Sequence, residues 1–266
     1  MIKNKLIKIS DEEYFSNEAL GSHQIRTLLE SPLMFWESMK LVKEPTPAMK
    51  LGSLVHCFLL EPDVFKEKYA IEPELDRRCK EYKEFANQNE GKLFYRNSEL
   101  EPIQNRLNKI LTENLSGYDS LMKILKNENG LYKEYSVFWD NFKAKIDCFD
   151  SVNKTLIDIK TANDVNPSVF KRLVFKYTYD LQLAHYGNAL SACGYSVDNY
   201  KIIAIQTSFP FDIVEYELDA DVMDYAYERI YKLYNTLEDV LLFKNNTGYN
   251  QGRVINIELP KYFIGG

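Results

Sequence analysis

The stretch KAKIDCFDSVNKTLIDIKT, residues 143–161, decides how this chain is read. Two strand-like runs, 143–149 (KAKIDCF) and 155–160 (TLIDIK), flank Asp150-Ser151-Val152-Asn153-Lys154, a polar segment suited to a hairpin turn. Side chains alternate along a strand, so Asp158 and Lys160 share one side while Ile157 and Ile159 fill the other. The hairpin brings Asp147 near Asp158. Two carboxylates and a lysine then converge at the edge of a sheet, an arrangement suited to a divalent ion and a polarised water. Hard oxygen ligands favour Mg²⁺, and lysine is a compact charge able to orient water or stabilise an oxyanion. Alone, the Asp-x-Lys triplet more often describes a surface ion pair on an edge strand.

Outward from the hairpin, residues 134–139 (EYSVFW) form a further strand-like run, with Glu134 at its start. Downstream, a helix is expected over 169–192 with a break near Tyr177, then strands at 199–207 and 211–218. A long helix over 219–243 is marked by Val222, Ala226, Ile230, Leu233, Leu237 and Leu241. The N-terminal half reads as helical. One helix covers 17–31, stopped by Ser31-Pro32, and Pro45 and Pro47 mark a loop. A helix over 49–60 ends at Glu61-Pro62, and another spans 98–115. The order predicts an α/β core over about 131–266 with a helical N-terminal part over about 1–130, in one domain of residues 1–266.

The bulk properties exclude several classes. The 266 residues are 45% hydrophobic, enough for a sizeable core, and no apolar run approaches the roughly 20 residues of a bilayer span. The N-terminal MIKNKLIKISDEEYF is no signal peptide, so a soluble cytoplasmic protein with no membrane partner is expected. Cys57, Cys79, Cys148 and Cys193 are scattered, which predicts reduced thiols and argues against a zinc ribbon or iron–sulfur cluster. No G-x-x-x-x-G-K-[ST] loop supports an ATPase. A net charge of -6 gives no general attraction to nucleic acid, so such contacts must be local. Arg77-Arg78-Lys80 and Lys171-Arg172 with Lys176 are the best clusters, unless they are simply solvated faces.

Asp147 followed eleven residues later by Asp158-Ile159-Lys160 resembles the PD-(D/E)xK nuclease signature, with Ile146 standing at the proline position. LGSLVHCFLLEPDVF (51–65), the Arg77-Arg78 pair, DIKTAND, Gln182-x-x-x-Tyr186 and NIELPKYF (256–263) resemble the exonuclease VIII (RecE) C-terminal nuclease domain. The resemblance implies a restriction-endonuclease-like core, a mixed central sheet flanked by helices. It implies an exodeoxyribonuclease acting 5′ to 3′ on one strand of linear double-stranded DNA and leaving a 3′ overhang. Asp147, Asp158, Lys160 and Glu134 would be catalytic. His56, Asp147, Asp158 and the Ile159 carbonyl would hold Mg²⁺, with Mn²⁺ as a substitute. By position alone His56 is a core histidine; the Gly52-x-x-x-His56 match favours the ligand. Glu134 is either an outer-shell or second-metal carboxylate or a solvated residue at a strand entrance. Gln182, Tyr186, Arg77, Arg78 and Lys145 would bind DNA, although Gln182 and Tyr186 also fit a polar helix face and Lys145 an edge-strand solubility lysine. The resemblance further implies a homo-oligomeric ring, trimer or tetramer, and a single-strand annealing partner of the RecT type. An endonuclease, an opposite-polarity nuclease and a catalytically silent DNA-end-binding module are the alternatives.

Overall fold

Prolines open helices in the N-terminal half. The computed structural model describes residues 3–41, 44–251 and 253–257, so most of the NIELPKYF stretch lies outside the described residues. Helix α1 (Asp11–Ser16) precedes α2 (Ser22–Arg26), which runs into a 3-10 turn at Thr27–Leu29. Helix α3 (Pro32–Lys40) begins at the proline expected to end a helix. Ser31 accepts a bond from the Met34 amide at 3.1 Å, and Pro32 occupies the first turn, where a missing N–H goes unmissed. The same device starts α4 (Pro47–Leu60) behind Thr46, and Pro62 likewise opens α5 (Pro62–Lys68), though without a side-chain cap from Glu61. The expected helix over 17–31 is therefore broken into short pieces, and α4 starts two residues earlier than its apolar pattern.

Strands β1 (Tyr69–Ile71) and β2 (Leu93–Tyr95), with α6 (Lys80–Gln88) between them, make a small parallel sheet. Each has three residues, too few for a period-2 pattern to announce it. Helices α7 (Asn97–Glu113) and α8 (Asp119–Lys126) follow.

The central sheet holds β3 (Leu131–Trp139), β4 (Phe142–Asp150), β5 (Thr155–Ala162), β6 (Asn199–Gln206) and β7 (Ile213–Leu218), in that spatial order. All neighbours are antiparallel except β5 and β6, and a parallel pair needs a crossover. Helices α9 (Pro167–Lys176) and α10 (Tyr179–Ala192) supply it, and α11 (Ala220–Phe243) packs on α10. The mixed sheet flanked by helices matches the expected architecture.

The sheet divides two cores. Leu156, Phe149, Ile202 and Ala204 face α10 and α11, whereas Cys148, Ile157, Ile159 and Ile203 face α4, α7 and α8. Ile157 and Ile159 are 1% and 0% exposed, each burial contributing about 2 kcal/mol that holds β5 in register. The cysteines are free thiols. No helix among the described residues is long and apolar enough to cross a membrane.

Candidate active site

The β3–β4 ladder is interrupted at one place. Lys133 pairs with Cys148 and Tyr135 with Ile146, but Glu134 and Asp147 between them are unpaired. Glu134 adopts φ +55°, a left-handed conformation uncommon for a residue with a side chain. Faces reverse across the gap on both strands. Ile146 and Phe149, an odd number apart, pack in the same core, as do Tyr132 and Val137. The β4–β5 ladder also stops here, after Cys148–Ile157. In its place the Asp147 carboxylate accepts a bond from the Ile159 amide at 2.8 Å. The interruption turns two carboxylates out of the sheet pattern and buries both.

His56 meets them from α4. Its Nδ1 lies 3.6 Å from Asp147 Oδ2 and 3.9 Å from Glu134 Oε1, while Nε2 lies 2.8 Å from the Ile159 carbonyl. With Nε2–H donating to that carbonyl, Nδ1 presents its lone pair to the carboxylates. Gly52, one turn earlier, explains the glycine of the motif. A Cβ there would lie 3.2 Å from Thr161 Oγ1, so glycine lets α4 approach the end of β5. Burial opposes charge on His56, but Asp147 and then Glu134 overcome it and raise its pKa. Burial, reinforced by the Asp158 charge, pushes Asp147 up to about 6 against the pull of His56 and Lys160. Glu134 is also penalised by burial, yet His56 and Lys145 hold it below the usual carboxylate range. The solvated reading of Glu134 does not match a residue 7% exposed.

Asp158 is fully buried, and among the described residues neither of its oxygens has a hydrogen-bond partner. Lys160 Nζ lies 2.5 Å from Oδ2, an ion pair without the approach angle of a hydrogen bond. Burial of the carboxylate rules out a surface ion pair, and a buried charge with a single cationic partner is costly to keep. The ammonium also sits 5.1 Å from the centre of the Tyr179 ring.

Among the described residues, His56, Glu134 and Asp147 offer donor atoms within 4.8 Å of one another. This set differs from the expected one: Glu134 joins it, Asp158 is drawn to Lys160, and the Ile159 carbonyl is engaged by His56. One imidazole and two carboxylates, with a third carboxylate short of partners nearby, fit a divalent cation.

Gln182 and Tyr186 bond to each other on α10, Nε2 donating to the hydroxyl at 2.7 Å. Burial raises the Tyr186 pKa well above 10, with the charges of Asp147 and Asp158 adding to it, so the pair stands behind the cluster. Lys145 is no free phosphate contact, because Asp11 at 2.6 Å and Glu134 at 2.8 Å hold its ammonium. Arg77 and Arg78 lie in the segment between β1 and α6, paired with Glu72 and Asp76 rather than with the cluster. Sequence reasoning missed Tyr179, although Tyr179, Gln182 and Tyr186 share a helical face at i, i+3 and i+7. It also missed Asp11, which lies far from Lys145 in the chain and had no signal.

A cleft of about 770 Å³ opens over the site, lined by His56, Ile159, Lys160, Tyr177 and Tyr179 among others. Sheet order, ladder interruption and the Asp/Asp-x-Lys geometry together define a PD-(D/E)xK nuclease fold. Residues 22–250 match the family described as PDDEXK-like domain of unknown function (DUF3799), and the chain belongs to that family. Among solved structures, a protein from Eubacterium rectale to which an exonuclease function is ascribed is similar over 97% of this chain and 98% of its own, at 13% identity and a TM-score of 0.59. A phage-related exonuclease from Haemophilus somnus 129PT is similar over 59% of this chain and 79% of its own, at 16% identity and a TM-score of 0.32. No curated protein matches the sequence.

Proposed function

We propose that this chain is a metal-dependent deoxyribonuclease that degrades linear duplex DNA from its ends. One observation carries the reading: a fully buried carboxylate without hydrogen bonds, Asp158, faces Lys160 beside the His56–Glu134–Asp147 donor set. A structural site has no physical reason to keep so costly a group. His56, Glu134 and Asp147 would hold Mg²⁺, with Asp158 as a further ligand, and the imidazole makes Mn²⁺ a fitting substitute. The chemistry a divalent ion supplies in such a site is neutralisation of charge developing on phosphorus and acidification of a water.

The protein groups do the rest. Lys160, between Asp158 and the Tyr179 ring and open to the cleft, is placed to hold a water or a phosphate oxygen by charge. The Ile159 amide fixes the Asp147 carboxylate, and the Ile159 carbonyl fixes the His56 ring. Gln182 and Tyr186 buttress the cluster from α10.

The resemblance to exonuclease VIII supports a finer reading: 5′-to-3′ removal of one strand, leaving a 3′ overhang for strand annealing. It supports a homo-oligomeric ring of three or four subunits and an annealing-protein partner. A ring reconciles the net charge of -6 with DNA, since only its channel need be positive. The test is digestion of 5′-phosphorylated linear duplex beside covalently closed circular DNA. Mg²⁺-dependent shortening of the linear form, blocked by a chelator and sparing the circle, is expected. Cutting of the circle favours an endonuclease. No digestion with any end chemistry favours a DNA-end-binding module.

A further inference from the structure

We propose that Tyr177 is a base-stacking platform that seats the terminal nucleobase of a DNA strand in the cleft; the inference rests on the nuclease reading above. Tyr177 lies at the break between α9 and α10 and lines the same cleft as His56 and Lys160. The residue is 49% exposed where it lines the cleft. Lys176 Nζ stands 5.4 Å from its ring centre, and the Tyr179 ring lies 5.8 Å away at 34°. A half-exposed aromatic ring at the cleft, with a flexible cation at hand, suits a base and its phosphate.

The backbone gives the second observation. Thr178 adopts φ +54°, which a β-branched residue rarely does. The strain is maintained by Arg26, whose Nη1 donates to the Tyr177 carbonyl at 2.9 Å, the Thr178 carbonyl at 2.9 Å and Thr178 Oγ1 at 3.0 Å. Strain of this kind persists only where surrounding contacts hold it, and it concentrates at ligand sites. Here it sets the break that displays Tyr177 on one side of Thr178 and Tyr179, over Lys160, on the other. A ring fixed in this way recognises a base without reading its identity, because every base has a π-face. The ligand class is therefore a strand end of any sequence.

The experiment is a two-by-two comparison of kcat/KM. Wild type and Tyr177→Ala are each tested on a duplex with normal ends and on one made abasic at the terminal nucleotide, at the 5′ or the 3′ end. Removing the ring and removing the base should each lower kcat/KM roughly 5- to 50-fold, and removing both should cost no more than either alone. Tyr177→Phe should retain the wild-type preference. If Tyr177→Ala loses as much on abasic ends as on normal ends, or loses nothing, the stacking site is overturned while the nuclease stands. A wild-type chain that degrades neither duplex overturns the nuclease reading, and the stacking site with it.

Discussion

The two ends of the β4–β5 hairpin each bury an aspartate, and they treat it in opposite ways. At the turn, Asp150 is 3% exposed and fully engaged. Its oxygens accept from Lys123 at 2.7 Å, from the Val152 and Asn153 amides at 3.0 Å, and from Asn153 Nδ2 at 2.8 Å. At the open end, Asp158 is more deeply buried and has no hydrogen bond. The first carboxylate builds the turn. The second is stored charge, tolerated because β5 is anchored by Ile157 and Ile159 from the other face. Two histidines repeat the contrast. His185 has both ring nitrogens partnered, by the Tyr234 hydroxyl and the Lys143 carbonyl at 2.9 Å, and burial pushes its pKa down to about 4. His56 shifts the other way because carboxylates face it. Burial alone does not mark function; what surrounds the buried group does.

The sharpest way to break the comparison is to neutralise both aspartates. Asp158→Asn should lower nuclease activity about 1,000-fold or more while costing less stability than Asp150→Ala, since it gives up one ion pair and no hydrogen bond. Asp150→Ala should do the reverse, costing about 2–4 kcal/mol of unfolding free energy through the bonds it abandons. Denaturant melts of the two variants, read beside their specific activities, check both outcomes. If Asp158→Asn melts as early as Asp150→Ala, the idea of stored charge is wrong.

A smaller effect separates the histidines. Between the folded pKa of about 4 and the unfolded value near 6.5, the unfolded chain binds a proton at His185 and the native protein does not. His185 therefore stabilises the neutral-pH protein fully above the unfolded value, and that contribution is lost as pH falls toward 4. Unfolding free energy should drop by about 2 kcal/mol from pH 7 to pH 5 on this account. His185→Gln should flatten that dependence, whatever it does to stability at neutral pH. The smallest effect concerns the basic pair. Arg77 and Arg78 already have carboxylate partners, so their joint replacement by alanine should change DNA affinity by less than about threefold and barely move its salt dependence. A steep loss in a salt titration would return them to the DNA interface.

Much of the sheet was legible because β3 to β7 carry short strand-like apolar runs, with a polar turn at 151–154 between β4 and β5. The helix starts at Pro32 and Pro47 were harder, because proline both ends and begins helices and only the cap hydrogen bond tells which. Asp147, Asp158 and Lys160 could be singled out through their resemblance to the nuclease signature, and His56 through the matching Gly52-x-x-x-His56. The role of Glu134 stayed open, since φ +55° and a paired gap across two strands leave no trace in a linear pattern.

The sequence by itself determined which residue types meet on the hairpin, because alternation and turn chemistry are local. It determined also that any attraction to DNA must be local against a net charge of -6. Only the tertiary structure decided which of these groups are engaged. Asp11 on α1 and Glu134 occupy Lys145, Arg26 on α2 holds the α9–α10 break, and Asp158 is left ion-paired with Lys160. Those outcomes rest on contacts between elements far apart in the chain. They depend on where the helices dock, a global property of packing that no single stretch encodes.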